Sequence, residues 1–231
     1  MPHRSVSLTH TDDAHSTSEL MMAWGRGWAV SRGTAAPVEV AGGFRVDVGL
    51  PGHRVRHVLH TYDAYSLRRL ARELTAPGNW IKAAGDPGEF RAALPEGWTM
   101  DIAGYLMTVP LSRSAVERPA SPYTIRVDLD GEVAVATVRD DSGATAASGR
   151  LARAGEFGIV DKVETEPAHR RRGLGSVVMR ALGDRAAARG MRTGILVATD
   201  DGRALYRSLG WTVRSEVPGA FRPEKSGPAR S

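Results

Sequence analysis

One short stretch constrains this chain more than any other. Arg170-Arg171-Arg172-Gly173-Leu174-Gly175 lies between a strand-like run, Gly158–Thr165, and a helix-like run, Gly173–Arg189. A helix N-terminus presents backbone N–H groups with no partner inside the helix. Its dipole places partial positive charge there. Glycines at positions 173 and 175 carry no Cβ, so an anion can approach the main chain closely, and three arginines surround it with charge. The order of strand, basic glycine loop and helix therefore suits a phosphate or pyrophosphate. Taken alone, the loop also fits an ordinary helix entrance.

Composition narrows the setting. The 231 residues suit one large domain or two small ones. A net charge of +5, carried almost wholly by arginine, favours anionic partners. The basic residues are scattered and no basic run interleaves with aromatics, so nucleic acid is not expected as a partner. The chain has no cysteine, which excludes disulfides, cysteine–zinc sites and a cysteine nucleophile. The polar stretch Met1–Ser18 lacks the apolar core of a signal peptide, and no run of about 18 apolar residues predicts a membrane span. The expected location is the cytoplasm.

The pattern predicts a disordered leader over 1–18, an N-terminal α/β unit over 19–111, a Ser- and Pro-containing linker over 112–122, a second unit over 123–221 and a frayed tail over 222–231. In the first unit, Glu19–Ser31 reads as a helix with Leu20, Met21, Trp24 and Trp28 at helical spacing. Phe44–Leu50 and Val55–Leu59 read as strands around Pro51-Gly52, followed by helices at Ser66–Leu74 and Glu89–Leu94 and strands at Trp98–Met100 and Tyr105–Pro110. In the second unit, Asp130-Gly131 turns a hairpin between Thr124–Leu129 and Val133–Val138. After Thr145–Arg153 and Gly158–Thr165 comes the helix Gly173–Arg189, with Leu174, Val178, Leu182 and Ala186 on one face and Gly190 at its end. Arg192–Ala198 is a buried strand, Arg203–Leu209 a short helix and Trp211–Val217 a last strand. Leu94-Pro95-Glu96-Gly97-Trp98-Thr99 echoes Leu209-Gly210-Trp211-Thr212. That echo fits either a degenerate duplication or chance.

Two motifs in order carry a resemblance. The segment from Val163 through Pro167 to Gly175 resembles the element of the GNAT family of N-acetyltransferases in which a strand and a proline precede R/Q-x-x-G-x-G/A at a helix start, matched here at Arg170, Gly173 and Gly175. About thirty residues on, Ala204-Leu205-Tyr206 through Gly210-Trp211 is similar to the family's A-x-x-Y-x-x-x-G-F/W element, one residue shorter before the tyrosine. The resemblance spans about Tyr123 to Val217. It implies an α/β (α+β) fold, a mixed, mostly antiparallel twisted sheet flanked by helices, with the N-terminal α/β unit attached. That first unit is either part of an acceptor pocket or a degenerate, cofactor-free copy.

The resemblance further implies acetyl-CoA as co-substrate, no metal, and a small amine or peptide acceptor; a homodimer is left open. The backbone of Val163, Glu164 and Thr165 would pair with the pantetheine arm. Arg170, Arg171, Arg172, Gly173, Leu174, Gly175 and Ser176 would hold the pyrophosphate. Tyr206 would protonate the departing thiolate. Asp201 stands where the family often has Asn; it could cap the Tyr206 helix but could not donate a side-chain N–H. On a strand of period two, Ile159, Asp161, Val163 and Thr165 share a face, which makes Asp161 the candidate base or amine-attracting group, with a surface ion pair as the competing role. His53, His57 and His60 lack the partners for a metal site. Trp24 and Trp28 read as packing residues. The expected activity is direct acetyl transfer to a primary amine; a non-catalytic acyl-CoA-binding regulatory module is the alternative.

Overall fold

The first helix starts on its own capping residues. In the computed structural model, which describes residues 15–113 and 118–224, Ser16 caps α1 (Thr17–Arg32), and Glu19 closes the capping box back onto Ser16. Gly33 ends it in the left-handed conformation, φ 63°, donating to Ala29 and Val30 carbonyls. The leader expected to reach residue 18 is thus already ordered at Ser16, while residues 1–14 lie outside the described residues.

The chain continues through β1 (Val38–Val40), β2 (Gly43–Leu50), β3 (His53–Leu59), α2 (Ala64–Glu73), β4 (Asn79–Ala83), α3 (Pro87–Ala93), β5 (Thr99–Met100) and β6 (Gly104–Pro110). Beyond the joint come β7 (Thr124–Asp130), β8 (Val133–Arg139), β9 (Thr145–Ala154), β10 (Phe157–Thr165), a 3-10 turn at Pro167–His169, α4 (Leu174–Ala188), β11 (Thr193–Ala198), α5 (Asp200–Ser208), β12 (Thr212–Val217) and β13 (Gly219–Phe221). One sheet has the order β1-β2-β3-β4-β13-β5 and the other β12-β6-β11-β10-β9-β8-β7. Among the described residues only β3–β4 and β10–β11 pair in parallel. The mixed, mostly antiparallel architecture flanked by helices is the one the sequence predicts.

Hydrogen bonding crosses the division expected at 112–122. Strand β6, from before the joint, runs between β11 and β12 in the second sheet. Strand β13, from the end of the chain, runs between β4 and β5 in the first. The joint therefore connects two strands of one sheet; residues 114–117 within it lie outside the described residues. The expected frayed tail is also docked at its start. The Arg222 guanidinium donates to the Ala71 and Leu74 carbonyls at the end of α2 and sits 5.2 Å from the Trp98 ring centroid. Residues 225–231 lie outside the described residues.

The two sheets repeat one order: parallel strands joined through a helix (β3–α2–β4 and β10–α4–β11), a second helix, an outer strand, and a last strand inserted in the opposite sheet. The Gly-Trp-Thr echo occupies matching places, entering β5 and β12.

Three apolar clusters hold the layers together. Leu67, Ala71 and Phe90 pack α2 and α3 on the outside of the first sheet. Leu174, Val178, Leu182 and Tyr206 pack α4 and α5 on the outside of the second. Helix α1 lies between the sheets, its Leu20, Met21, Trp24 and Trp28 clustering with Phe44 and Val58 on one side and Leu106, Ile159 and Ile195 on the other. Two glycines allow this close seating: a Cβ on Gly25 would stand 2.1 Å from Phe44 Cζ, and one on Gly27 would stand 2.1 Å from Ile159 Cγ1. Gly27→Val is therefore expected to destabilise the protein by about 2 kcal/mol or more, the usual scale of core overpacking. A urea titration reads this; an unchanged midpoint would show that α1 has room above β10.

Candidate functional site

The site is built around an irregularity in β10. Its pairing with β9 shifts register between Asp161 and Glu164, and Lys162 has φ 50°. A bulge of this kind inserts one residue and reverses the alternation beyond it. Ile159 faces α1, touching the position of Gly27. Asp161 faces α1 too, through Arg32 and Ser31. Val163 instead lies beside Val178 and Leu182 of α4, around the space over Gly149. Asp161 and Val163 therefore do not share a face, contrary to the period-two expectation. The reversal brings Glu164 to the α1 side.

A second irregularity opens the sheet. Strands β10 and β11 pair only from Phe157 to Ile159, although β10 runs on to Thr165 and β11 to Ala198. Their diverging ends leave a gap, and cavities flank it on both sides. On the α4–α5 side lies a groove of about 830 Å³. On the side of α1 and the first sheet lies a pocket of about 330 Å³. Both are lined by Val163, Glu164, Thr199 and Tyr206, so they meet at the gap.

The groove gathers most of the residues singled out in the sequence: Val163, Glu164, Thr165, Arg170, Arg171, Gly173, Gly175, Ser176, Asp201 and Tyr206. Gly173, at φ 75°, precedes α4 with no side-chain cap, and the first turn of α4 holds no acidic residue. The N–H groups there are available to an anion. Two expected members stand elsewhere. Arg172 Nη1 donates to Tyr123 Oη at 2.8 Å and fastens the loop, with Tyr123 Oη also bonded to His169 Nδ1. The Leu174 side chain is buried in the α4 cluster because its helical spacing puts it there. Asp201 lines the groove without capping α5; the cap is Thr199, whose hydroxyl accepts from Gly202 N–H, so the helix starts at Asp200, one residue before Asp201.

Tyr206 sits at the junction. Its ring packs against Trp211, centroids 6.2 Å apart, and against the turn at Gly202. Burial first, then the charge of Asp161, push its phenol up to about 12. It is therefore a protonated donor at neutral pH.

The pocket side draws on the first unit, through residues that the sequence did not single out for a site. Trp24, Trp28 and Arg32 come from α1, Arg56 from β3, Trp80 and Lys82 from β4, with Asp101 beside them. Asp161 accepts from Arg32 Nε at 2.6 Å and Nη2 at 2.9 Å, and from Ser31 Oγ at 3.1 Å. Both its oxygens are thus engaged, as the competing ion-pair reading anticipated. Lys82 pairs with Asp101 at 3.0 Å, burial lowering its ammonium against the pull of that carboxylate. The Arg56 guanidinium lies 4.6 Å from the Trp28 centroid and 5.8 Å from that of Trp80, and its Nε donates to His53 Nε2 at 3.0 Å. Among the described residues no group of three His, Asp or Glu could hold a metal ion.

The histidines of β3 carry a pH signature. Burial, and then the charge of Arg56, bring His53 down to about 4; burial, then Arg45, bring His57 to about 4. In the unfolded chain both titrate near 6.5. Between those values the unfolded state binds more protons, so stability is present above 6.5 and is lost as pH falls toward 4. The urea midpoint is expected to drop between about pH 7 and 4.5, and the His53→Gln/His57→Gln double variant to flatten that slope. An equally steep slope in the variant would place the titration elsewhere.

A splayed parallel pair, a bulged strand and a basic loop at a helix start define an N-acetyltransferase-type fold, and comparison with known proteins agrees. Residues 137–217 match the family model described as FR47-like protein. The fold is similar to that of a GCN5-related N-acetyltransferase from Kribbella flavida, with TM-score 0.65 and 16% identity over 89% of this chain and 96% of that one. It is similar to another from Sphaerobacter thermophilus, with TM-score 0.57 and 13% identity over 78% and 76%. A tandem GNAT protein from the clavulanic acid biosynthesis pathway aligns with TM-score 0.50 and 14% identity over 71% and 69%. No curated protein matches the sequence. The chain has a GNAT-like fold. No helix among the described residues is long and apolar enough to cross a membrane.

Proposed function

We propose that this protein is an acyl-CoA-dependent N-acyltransferase that moves an acetyl group from acetyl-CoA to a primary amine. The observation that carries the reading is the meeting of two cavities at Tyr206 through the gap between β10 and β11. Acetyl-CoA would lie in the groove, its pyrophosphate at the uncapped start of α4 beside Arg170, Arg171, Gly173, Gly175 and Ser176. Its pantetheine arm would run along Val163, Glu164 and Thr165, whose edge toward β11 is unpaired. The acceptor would enter from the pocket.

The amine nitrogen attacks the thioester carbonyl carbon, the C–S bond breaks, and the thiolate takes the Tyr206 proton. Since the chain has no cysteine, transfer is direct, within a ternary complex. Asp161, tied to Arg32, serves as a fixed negative charge of the pocket wall, and Glu164 is the better-placed carboxylate for the amine proton because it reaches both cavities. The first sheet supplies the acceptor pocket and reads as a degenerate copy of the second. Its helix α2 is capped by Asp63, whose carboxylate accepts from Tyr65 and Ser66 N–H, taking two of the donors that an anion would need there.

Thiol release from acetyl-CoA across a panel of amines tests the proposal. Amine-dependent release is expected. Tight acetyl-CoA binding with no release above the uncatalysed rate for any amine would favour the non-catalytic module.

A further inference from the structure

We infer that the acceptor is a small amino carboxylate, bound through its carboxylate to Arg56. The inference rests on the acyltransferase reading and names its substrate class.

Two cations of the pocket are paired, and Arg56 and the exposed Lys162 make no ion pair among the described residues. Arg32 belongs to Asp161 and Lys82 to Asp101. Arg56 feels Asp101 and Asp161 only at longer range, each being paired elsewhere. Its Nε is spent on His53, an imidazole that is neutral at physiological pH, and among the described residues no acceptor takes Nη1 or Nη2. These two terminal groups carry four N–H donors on a guanidinium half-buried at the pocket wall. The rings of Trp28 and Trp80 fix its plane. Such a charge is costly to hold away from water without a counter-ion. A planar fork with both ends free matches a carboxylate, two parallel N–H···O bonds at once.

The pocket lining at the gap supplies the complement. Glu164, which makes no ion pair among the described residues, stands with Tyr206 at the gap where the amine must arrive. A zwitterion therefore finds an anion site at Arg56, a cation-attracting site at Glu164, and apolar walls at Trp24, Trp28 and Trp80. A volume of about 330 Å³ accommodates an amino acid. Polyamines and aminoglycoside-like acceptors are disfavoured, because a second ammonium would meet Arg56.

The test compares amino acids with their decarboxylated amines, phenylalanine against phenethylamine and tryptophan against tryptamine, with amino-sugar phosphates as a further arm. Wild type is expected to favour the amino acids in kcat/KM by on the order of 10- to 100-fold, the worth of charge-assisted hydrogen bonds. Arg56→Gln should collapse that ratio through KM of the acid, and Arg56→Lys should restore part of it. Equal or better use of the decarboxylated amines or amino-sugar phosphates by wild type would overturn the proposal, as would a ratio that survives in Arg56→Gln. Binding gives a separate readout: amino carboxylates should perturb the tryptophan fluorescence of wild type at concentrations where the decarboxylated amines do not. If no amine is acetylated but this selective binding persists, the transfer reading fails and the carboxylate site stands. If transfer occurs without carboxylate preference, the carboxylate site alone fails.

Discussion

Tyr206→Phe is expected to lower kcat for acetyl transfer by about 10²-fold or more, the usual scale of a lost general acid. Acetyl-CoA affinity should stay nearly the same. The ring is held by Trp211 and by the turn at Gly202, and Phe keeps both contacts. No hydrogen bond among the described residues involves Oη, so removing it leaves no orphaned partner. The hydroxyl is raised to about 12 and so remains a donor throughout the range in which the enzyme is assayed. The rising limb of the pH–rate profile should then belong to deprotonation of the acceptor amine, with no fall attributable to Tyr206 below about pH 10. The same shift has a stability consequence of definite sign. The fold binds the phenolic proton more tightly than the unfolded chain, so this contribution is intact below pH 10 and is lost between 10 and about 12. A full-rate Tyr206→Phe enzyme would remove Tyr206 from the chemistry.

Ser176→Glu should separate ligand binding from stability in opposite directions. Ser176 lies in the first turn of α4 and lines the groove. A carboxylate there favours the helix dipole by about 0.3–1 kcal/mol, so the folded protein should be slightly more stable. The same carboxylate would stand against the pyrophosphate. Two unit charges about 4 Å apart repel by about 4 kcal/mol at an effective dielectric near 20. Solvent screening reduces this, which leaves an expected loss of acetyl-CoA affinity on the order of 10²-fold. Calorimetric titration and thermal melting read the two effects on one sample. Unchanged affinity with raised stability would mean that no phosphate lies at the start of α4.

The donor side of this site was legible in the sequence because it is local. The arginine loop, the helix Leu174–Ala188 and the Tyr206 helix are consecutive, and the apolar spacing fixes their faces. On the acceptor side the sequence pointed to the first unit but not to its residues, because their meeting depends on pairing between distant strands. Nothing in Gly219-Ala220-Phe221 announces a strand three residues long, yet it bridges β4 and β5 and helps hold the first sheet against the pocket. Nothing local shows that β6 enters the second sheet. Arg56 reads in the sequence as one more exposed strand arginine; only the assembly of β3, β4 and α1 places it between two tryptophans. Lys162 is the sharpest case. A non-glycine residue at φ 50° carries no compositional mark, and its bulge reverses the strand faces, replacing Asp161 by Glu164 at the gap. The Gly-Trp-Thr echo was visible in sequence, but its weight came from the matching places it takes before β5 and β12.

The central claim is that the groove between α4 and α5 delivers an acyl thioester to Tyr206. A crystal structure of the complex with CoA tests it most directly. The pyrophosphate is expected within hydrogen-bond distance of the N–H groups at Gly175 and Ser176, the pantetheine arm along Val163–Thr165, and the sulfur beside Tyr206 Oη at the gap. CoA seated in the groove beside α2, or on the surface with the gap empty, would contradict it.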